Sequence, residues 1–446
     1  MNPSPWPLAA ACFEAARRAA FSRLAGLARR FCPAGLVCLM GLVFASGPAR
    51  AAGPAWLSMP APLLPLRLPV AGTPDGADWL LRAEAADFSA VDATPVRALS
   101  GDWARYQPRE GRNHALQSAR LDLSAAYQRW EVAATARSDI LIDGSRGAFD
   151  VVHAYKQRST PADGSRFSVD AQQRGVVWAG LRGAHTWALG ADVAVPTWQV
   201  TAALSLLSVR RVQHTNAQGD VVYSDLAGYD FNAQTLRVDS HKDFGGGAAP
   251  SATGTGVTTD LGLLWQPSDR AFVNLSVVDL ASRLRLDQVA TESAAMSSSV
   301  FGVDERGFLD YKPLVNGRYS TRDLRLQLLR KWSLTAGWRL DGIGGGGTHA
   351  GAAGAAGTAG TAGGGFGDGA VLGARWERMG GLDLPALWLS WPMLPGWTLQ
   401  VDAETRFRSL GIGVATRYAS LLLRSRSLSV GQSSALGWQA SLHWPF

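Results

Sequence analysis

The sequence predicts an all-β fold, a transmembrane antiparallel up-and-down β-barrel of about 14 strands (roughly 12–16). Three observations lead to this prediction. Apolar and polar residues alternate with period two from about Leu121 to the C terminus. Tight polar turns separate many of the alternating segments, and an export signal precedes them. The strand number follows from about 325 residues at around 24 per strand and connection.

Residues 1–51 have the three parts of a secretory signal peptide. Arg29 and Arg30 precede an apolar run from Ala34 to Ser46, and Ala49-Arg50-Ala51 provides a small-residue cleavage pattern. The apolar run is shorter than the roughly 20 residues that a membrane-spanning helix needs. We therefore expect cleavage and a mature chain that starts near Ala52.

The export segment also contains every cysteine and most of the excess positive charge. The cysteines are Cys12, Cys32 and Cys38. The formal charge of the whole chain is +7, and it falls to +2 without residues 1–51, which hold six arginines and one glutamate. A mature chain without cysteine forms no disulfide and no cysteine-ligated metal site. Its small net charge excludes a strongly basic nucleic-acid-binding surface, so we expect no nucleic acid as a partner.

Residues 52–115 differ in composition from the rest of the mature chain. Five prolines between Pro54 and Pro69 interrupt the beginning of this segment, and no regular alternation follows them. We predict a periplasmic extension or a segment that enters the barrel, with a disordered tether as the alternative. The transmembrane barrel itself is predicted for residues 116–446.

Within the predicted barrel, the alternation is clearest in five segments that place apolar residues on one parity. These segments are Trp130–Ala136, Trp198–Leu206, Thr258–Trp265, Trp332–Leu340 and Trp397–Glu404. Successive side chains of a strand point to opposite faces, so each segment has one apolar face. A soluble β-sandwich with tryptophan in its core is the alternative. A sandwich of this length would divide into domains, and no linker is evident after Leu121.

Short and long connections are both present between these segments. Gln128-Arg129, Gln266–Asp269 and Arg330-Lys331 are predicted to be tight turns of hairpins. Gln213–Asp220, Ser240–Gly256 and Asp341–Gly369 are predicted to be longer loops. Residues 342–369 are nearly all Gly, Ala and Thr and cannot bury apolar surface. We expect them to form an extracellular loop, with a functional lid as the alternative.

Several tryptophans lie on the apolar parity near the ends of predicted strands. The predicted membrane girdle consists of Trp130, Trp198, Trp265, Trp332 and Trp397, and Trp187, Trp438 and Trp444 follow the same pattern. Indole is apolar with a single donor, which suits the boundary between lipid and water.

The last eleven residues alternate from Leu436 to Phe446. They resemble the terminal β-signal of Gram-negative outer-membrane proteins, which the barrel-assembly machinery reads. The resemblance implies that Trp438, Leu442, Trp444 and Phe446 form an assembly signal. It also implies that the barrel-assembly machinery and outer-membrane lipid are partners, and that the protein is located in the outer membrane.

A second resemblance covers two hairpins. Val257–Leu280 and Leu410–Leu423 are similar to paired strands of fatty-acid-channel-like outer-membrane barrels and their conjugation-associated relatives. The glycine-rich N-terminal signature of those relatives is absent. No ligand site is carried over, and the subfamily stays unassigned.

The seven histidines do not form a pattern that supports catalysis or metal binding. None is followed two positions later by serine, so the dyad of outer-membrane lipases and deacylases is missing. No two have metal-ligand spacing. We therefore predict no enzyme activity, no catalytic residue, no metal and no cofactor.

Charged residues on the inward parity of the C-terminal half are the candidate functional side chains. The predicted lumen-facing set is Arg325, Arg339, Asp402, Glu404, Arg406, Arg417, Arg424 and Arg426. An arginine that faces lipid at mid-membrane depth would cost about 2–4 kcal/mol. These groups would fill the lumen with ion pairs, form a charged constriction that weakly favours anions, or contact a gate or partner.

These observations predict a channel or facilitator for small or hydrophobic solutes. The alternative is a non-transport accessory barrel for secretion, surface display or envelope assembly. A hydrolytic barrel is disfavoured because the dyad is missing.

Overall fold

The structure of the protein is a computed structural model. It describes residues 79–103, 105–189, 198–226, 228–242, 244, 252–268, 270–298, 301–303, 309–311, 315–340, 369–394, 396–416 and 418–445. The predicted signal peptide, Arg417 and Phe446 lie outside these residues.

Eighteen strands occur in the described part of the chain. They are β1 Trp79–Val91, β2 Arg112–Tyr127, β3 Trp130–Ser145, β4 Arg166–Leu189, β5 Trp198–Ser224, β6 Gly228–Asp239, β7 Gly254–Trp265, β8 Ala271–Ser297, β9 Phe301–Val303, β10 Leu309–Tyr311, β11 Val315–Leu326, β12 Lys331–Leu340, β13 Ala370–Met379, β14 Leu382–Leu394, β15 Trp397–Glu404, β16 Ser409–Thr416, β17 Ala419–Ser425 and β18 Ala435–Pro445. Helix α1 spans Arg146–Gln157, and two short 3-10 helices span Val96–Ser100 and Val430–Gln432. Among the residues with described structure, no helix has both the length and the apolar character needed to cross a bilayer.

Fourteen of these strands close an antiparallel barrel, as the sequence predicted. The ring runs from β1 through β5, then through β7 and β8, and then from β12 to β18. Strand β18 pairs with β1 over the full length from Ala435–Ala90 to Pro445–Leu80, which closes the sheet. A closed sheet leaves no unpaired edge within a membrane.

The alternating residues of each strand form the inner and outer faces of the barrel. Outward side chains are large and apolar, and examples with 53–62 % exposure are Val132, Leu181, Leu204, Ile412 and Leu423. Inward side chains on the same strands are buried and mostly polar, such as Thr135, Arg182 and Ser205. A continuous apolar exterior around a polar interior is the surface of a transmembrane barrel.

The two ends of the barrel differ. At the short-turn end, β2 and β3, β7 and β8, and β14 and β15 are separated by only two to five residues, and β1 starts and β18 ends there. The long-loop end carries the segments 92–111, 146–165 and 426–434. Short turns face the periplasm in barrels of this kind.

The Gly/Ala/Thr stretch leaves the barrel at the short-turn end. Leu340 pairs with Ala370, and Trp338 pairs with Ala271, which follows the turn at 266–270. Both flanking strands therefore reach the short-turn end, and the extracellular position of the stretch stays a prediction. Residues 341–368 themselves lie outside the described residues.

Three expectations about the chain need correction. The barrel begins at Trp79, inside the segment predicted as an extension, because β1 pairs with both β2 and β18. Outward residues of β1 are mostly small, so its alternation is weak in the sequence. Residues 213–220 are not a loop but part of β5. Arg330-Lys331 is not a hairpin turn, because β11 and β12 both pair with the same side of β8.

Strand β8 is long enough to hold two strands on each side. On one side, β6 pairs with residues 290–297 and β7 pairs with residues 273–286. On the other, β11 pairs with residues 284–296 and β12 with residues 271–278. Strands β6 and β11 therefore extend the sheet beyond the closed ring at its long-loop end.

Candidate functional site in the barrel interior

A network of buried ion pairs fills the middle of the barrel. This central network consists of Arg82, Glu84, Arg120, Asp122, Glu131, Arg137, Asp139, Arg182, Asp260, Asp279, Lys331, Arg375, Glu377, Asp402 and Arg424. None of these side chains is more than 14 % exposed. Within this described set, seven cations face eight carboxylates. The network itself is therefore close to neutral.

One pair crosses the lumen. Lys331 Nζ on β12 lies 2.6 Å from both carboxylate oxygens of Asp139 on β3. The two strands are five places apart in the ring of fourteen. A second bond from Ser118 Oγ, at 2.5 Å, fixes the Asp139 carboxylate. These contacts tie opposite walls of the barrel together across the lumen.

The C-terminal half contributes a second cluster to the network. Arg424 donates from Nη2 to Asp402 Oδ2 at 2.6 Å and from Nε to both oxygens at 3.1 Å. Arg375 lies 2.9 Å from Glu377 and 3.7 Å from Asp402. These desolvated, charge-assisted contacts join β13, β15 and β17 within the same half of the barrel.

Apolar side chains occupy the lumen on either side of the network. Towards the long-loop end, an apolar cluster combines Phe88, Ala90, Leu116, Leu141, Val278, Met379, Leu382, Leu384, Ala386, Phe407 and Ala435. Its members come from both walls, and the rings of Phe88 and Phe407 are 6.5 Å apart. Towards the short-turn end, Leu264, Phe272, Val371 and Trp388 form a smaller cluster.

Two facing glycines make room for this smaller cluster. Gly337 and Gly373 are register partners on β12 and β13. A Cβ on Gly373 would meet the Trp388 ring at 2.4 Å, and one on Gly337 would meet Phe272 at 2.5 Å. The missing side chains allow both large rings to lie inside the barrel.

The wall is interrupted between β6 and β7. The last β5 partner of β6 is Gln213, and the first β5 partner of β7 is Val209. We call this interruption the wall split. The chain leaves the sheet after Asp239 and returns before Gly254, and Ala252 N donates to Ser240 O at 3.1 Å to close the excursion.

A buried apolar cluster lies behind the wall split. It consists of Trp178, Leu207, Val209, Val212, Val238, Ala252, Leu284, Leu286, Val289, Leu324 and Leu328. Asp279 and Gln288 have positive φ values of 59° and 56° in the adjoining part of β8. This backbone bends β8 so that its side chains return to the interior beside the interruption.

A polar cluster connects the loops above the barrel. Arg406 in the 405–408 turn binds Asp92 and approaches His114 Nδ1 at 3.0 Å. His114 also donates its backbone N–H to Asp92 at 2.9 Å. Burial opposes ionisation of Asp92, but the His114 bond and the Arg406 charge outweigh it and lower its pKa.

The predicted lumen-facing residues lie in different parts of the barrel. Asp402, Glu404 and Arg424 are buried inside the barrel, and the Glu404 carboxylate accepts the backbone N–H groups of the following turn, including that of Phe407 at 2.9 Å. Arg339 is partly buried on the inward parity near the short-turn end. Arg406 and Arg426 lie in loops at the long-loop end, where Arg426 donates to Ser434 at 2.9 Å.

Arg325 does not face the lumen. It is exposed on β11, on the opposite face from the buried Leu324. The reason is that β11 extends the sheet outside the closed ring, so its parity could not be extrapolated from the other strands.

Most members of the central network were missed. Arg120, Asp139 and Arg182 occupy the polar parity of regular strands, and that parity could have identified them. The sequence predicts Lys331 in a turn, where strand parity does not apply. Its partner lies 192 residues earlier in the chain, a separation that no local pattern reveals.

The predicted girdle residues lie at both ends of the barrel. Trp130, Trp198 and Trp265 face outward at the short-turn end, with 62, 38 and 37 % exposure, and Trp397 begins β15 at the same end. Trp198 and Trp265 stack with their ring centroids 5.3 Å apart. Trp332 lies towards the other end of β12.

The three described residues of the predicted assembly signal share one face of β18. Trp438, Leu442 and Trp444 pair with Asp87, Ala83 and Leu81 of β1. Among the residues with described positions, no group of three or more His, Cys, Asp or Glu side chains could hold a metal ion.

Comparisons with known proteins give only structural likeness. No protein-family model and no curated protein matches the chain. The toluene transporter TodX of P. putida has 10 % identity and a TM-score of 0.37, over 84 % of this chain and 91 % of that chain. A FadL homologue of Pseudomonas aeruginosa has 11 % identity and a TM-score of 0.34, over 82 and 89 %. The outer-membrane protease OmpT of Escherichia coli has 9 % identity and a TM-score of 0.20, over 84 and 99 %. The barrel assignment rests on the strand pairing of this chain.

Proposed function

We propose that the protein is an outer-membrane barrel of a Gram-negative bacterium that facilitates the passage of small hydrophobic solutes. The wall split, backed by a buried apolar cluster, is the observation that carries this proposal. The N-terminal export pattern and the alternating C-terminal strand support the location. We propose that the barrel-assembly machinery reads Trp438, Leu442 and Trp444 on that strand.

The interior disfavours passage of polar solutes along the barrel axis. A hydrated solute would have to separate cross-lumen pairs such as Lys331–Asp139. Removing one partner of a buried pair costs about 3–5 kcal/mol, since the other charge is left uncompensated. Apolar clusters lie on both sides of these pairs, so the axis offers no continuous wet path through the described side chains.

The wall split offers an apolar path. A shallow groove on the outer surface is lined in part by Leu181, Leu206, Leu207 and Val257. Leu207 also belongs to the cluster behind the wall split. A hydrophobic solute that leaves the membrane can therefore stay in apolar surroundings, and each methylene kept out of water contributes about 0.8 kcal/mol.

Uptake into vesicles tests this function. Protein recovered from cell envelopes is placed in liposomes, and entry of radiolabelled naphthalene is compared with entry of radiolabelled sucrose. We expect protein-dependent entry of naphthalene trapped by an internal binding protein, with no protein-dependent entry of sucrose. Equal entry of sucrose would contradict the proposal, because it requires a wet pore.

Absence of entry for both solutes would favour the accessory role instead. The central network is compatible with that alternative, because its ion pairs join the walls across the lumen. Under it, planar bilayers would show no conductance, and envelope proteins would co-purify with the barrel.

A further inference from the structure

An unusual set of arginines faces outward beside the wall split. Arg283 and Arg285 lie on β8 and Arg325 lies on β11, and all three are exposed. We call them the arginine patch. Transmembrane barrels ordinarily present apolar side chains on this face, so three cations there require an explanation.

The three guanidinium groups are held close to each other by the sheet. Arg285 and Arg325 are direct register partners. Side chains that are directly opposed have Cβ atoms about 4.5–5.5 Å apart, and like charges in this position are destabilising. Arg283 is two residues from Arg285 on the same face, about 7 Å away. The backbone therefore keeps the charges together.

The protein supplies little compensation for this charge. Arg285 Nε lies 3.0 Å from Asp287 Oδ1, with both side chains at least 60 % exposed. Exposed pairs of this kind contribute at most about 1 kcal/mol. Asp323, two residues from Arg325, is a second exposed carboxylate beside the patch and accepts the Gln288 N–H. Two carboxylates beside three guanidinium groups leave the patch cationic, so an anion would stabilise it.

The depth of the patch in the membrane can be derived from the register. Arg283 pairs with Val257 and Arg285 with Thr255, which are eight and ten residues above Trp265 on β7. At about 3.4 Å per residue and a tilt near 40°, these positions lie about 21 and 26 Å above the tryptophan boundary. The apolar band of such barrels is about 25 Å tall. The patch therefore lies at the opposite membrane surface, at the level of lipid headgroups.

The outward residues change polarity at this level. Leu204 and Leu206 on β5 are followed on the same parity by Ser208 and Arg210, and Val257 on β7 is adjacent on that parity to Thr255. Apolar surface below and cations above match a molecule with acyl chains and an anionic head.

A groove at the same place provides space for such a molecule. It has a volume of about 580 Å³, and its lining includes Arg283, Arg285, Gly256, Leu181 and Leu206. The small residues Ala179, Gly180 and Ser208 deepen it. The groove thus joins the two arginines to the exposed leucines without a break.

We propose that the arginine patch and this groove bind a phosphate-bearing lipid of the membrane leaflet at the long-loop end. Guanidinium groups bind phosphate oxygens in a bidentate way, and the leucines contact the acyl chains. This site shares its groove with the proposed solute path, but binding of the lipid is measured directly and does not depend on passage of a solute.

Native mass spectrometry with diphosphoryl lipid A as the probe tests the proposal. Full-length protein in detergent is compared with Arg283→Ala/Arg285→Ala and with the matched control Arg129→Ala/Arg378→Ala. The control removes the same charge from exposed arginines elsewhere on the barrel. We expect at least about tenfold weaker binding for the patch variant only. Equal binding by wild type and the patch variant would overturn the proposal.

Two further measurements identify the chemistry of the ligand. Dephosphorylated lipid A should bind at least about tenfold more weakly than the diphosphoryl form to wild type. Inorganic phosphate at the lipid concentration should not compete, because it has no acyl chains. Retained binding of the dephosphorylated lipid, or full competition by inorganic phosphate, would contradict a phosphate-bearing lipid as the occupant.

A conservative variant keeps the test valid if the alanine variant does not fold. Each variant is first checked for heat-dependent migration on a gel, which reports a folded barrel. Arg283→Lys/Arg285→Lys keeps the charge but loses bidentate phosphate contacts. Binding should weaken by about threefold or more, and unchanged binding would contradict a guanidinium–phosphate site.

Discussion

The two halves of the barrel are built differently. In the regular half, β12 to β18, strands have 7–13 residues and consecutive strands pair with each other. In the split half, β3 to β8, strands β5 and β8 each have 27 residues. Strand β5 pairs with two successive strands on one side, and β8 pairs with two successive strands on each side. The regular half has one register irregularity, between Pro392 and Leu394.

The irregularities of the split half coincide with the candidate functional features. Register shifts occur at Val177/Trp178 and at Thr259/Leu261. Beside them lie the wall split, its apolar cluster and the arginine patch. Bulges interrupt sheet pairing and re-aim side chains, and they concentrate near functional sites. The comparison shows that the regular half is built from simple hairpins, whereas the features on which the proposed function rests all lie in the split half.

The largest expected loss of stability comes from breaking the Lys331–Asp139 ion pair, which joins the two halves. Lys331→Met leaves the Asp139 carboxylate buried without its cation, and we expect unfolding to become easier by about 3–5 kcal/mol. Urea titration of the protein in lipid vesicles measures this difference. Lys331→Met/Asp139→Leu should recover most of the loss, because both charges are removed. A loss below about 1 kcal/mol in the single variant would show that the halves are not held together here.

The next largest loss of stability is expected from disturbing the packing inside the regular half. Gly373→Val places methyl groups where the Trp388 ring lies, so we expect a loss of about 2–3 kcal/mol in stability. Gly381, with open space around its Cβ position, provides the matched control Gly381→Ala. If Gly373→Val is as stable as that control, the interior of the regular half is less tightly packed than described.

The polar cluster above the barrel gives a smaller, pH-dependent effect. The folded pKa of Asp92 is lowered, so its ionised form stabilises the fold above its unfolded pKa of about 3.9. This contribution is lost as the pH falls through the folded pKa. Asp92→Asn should therefore cost about 1–2 kcal/mol at pH 7 and almost nothing at strongly acidic pH. Urea titrations at several pH values measure it, and a pH-independent difference would contradict this assignment.

The smallest effect is expected at the surface of the regular half. Arg378 and Asp383 are 3.8 Å apart, and both are nearly half exposed. Arg378→Ala should change the free energy of unfolding by less than about 1 kcal/mol. A larger change, measured by the same titration, would show that stability is not concentrated in the interior.

The regular half could be predicted from the sequence, and the split half only in part. Strands such as Trp397–Glu404 obey period two over their whole length, so their faces followed directly from the pattern. The polar composition of residues 213–220 predicts a loop, although β6 pairs with them. Lys331 and Asp139 were missed as a pair because only closure of the ring brings them together.

The most direct test of passage through the wall split fixes the chain after β6 to β5 beside the split. Val212 and Ser240 are joined by hydrogen bonds from Val212 N to Ser240 Oγ at 3.0 Å and from Ser240 N to Val212 O at 3.1 Å. This proximity suits a disulfide between cysteines placed at both positions. The control pair Val401→Cys/Ile412→Cys uses register partners in the regular half.

Naphthalene entry into vesicles is measured for both cysteine variants before and after reduction. We predict that oxidised Val212→Cys/Ser240→Cys transports at least about tenfold more slowly than its reduced form, while the control pair shows no difference. Equal rates for the oxidised and reduced forms of Val212→Cys/Ser240→Cys would contradict passage of the solute through the wall split.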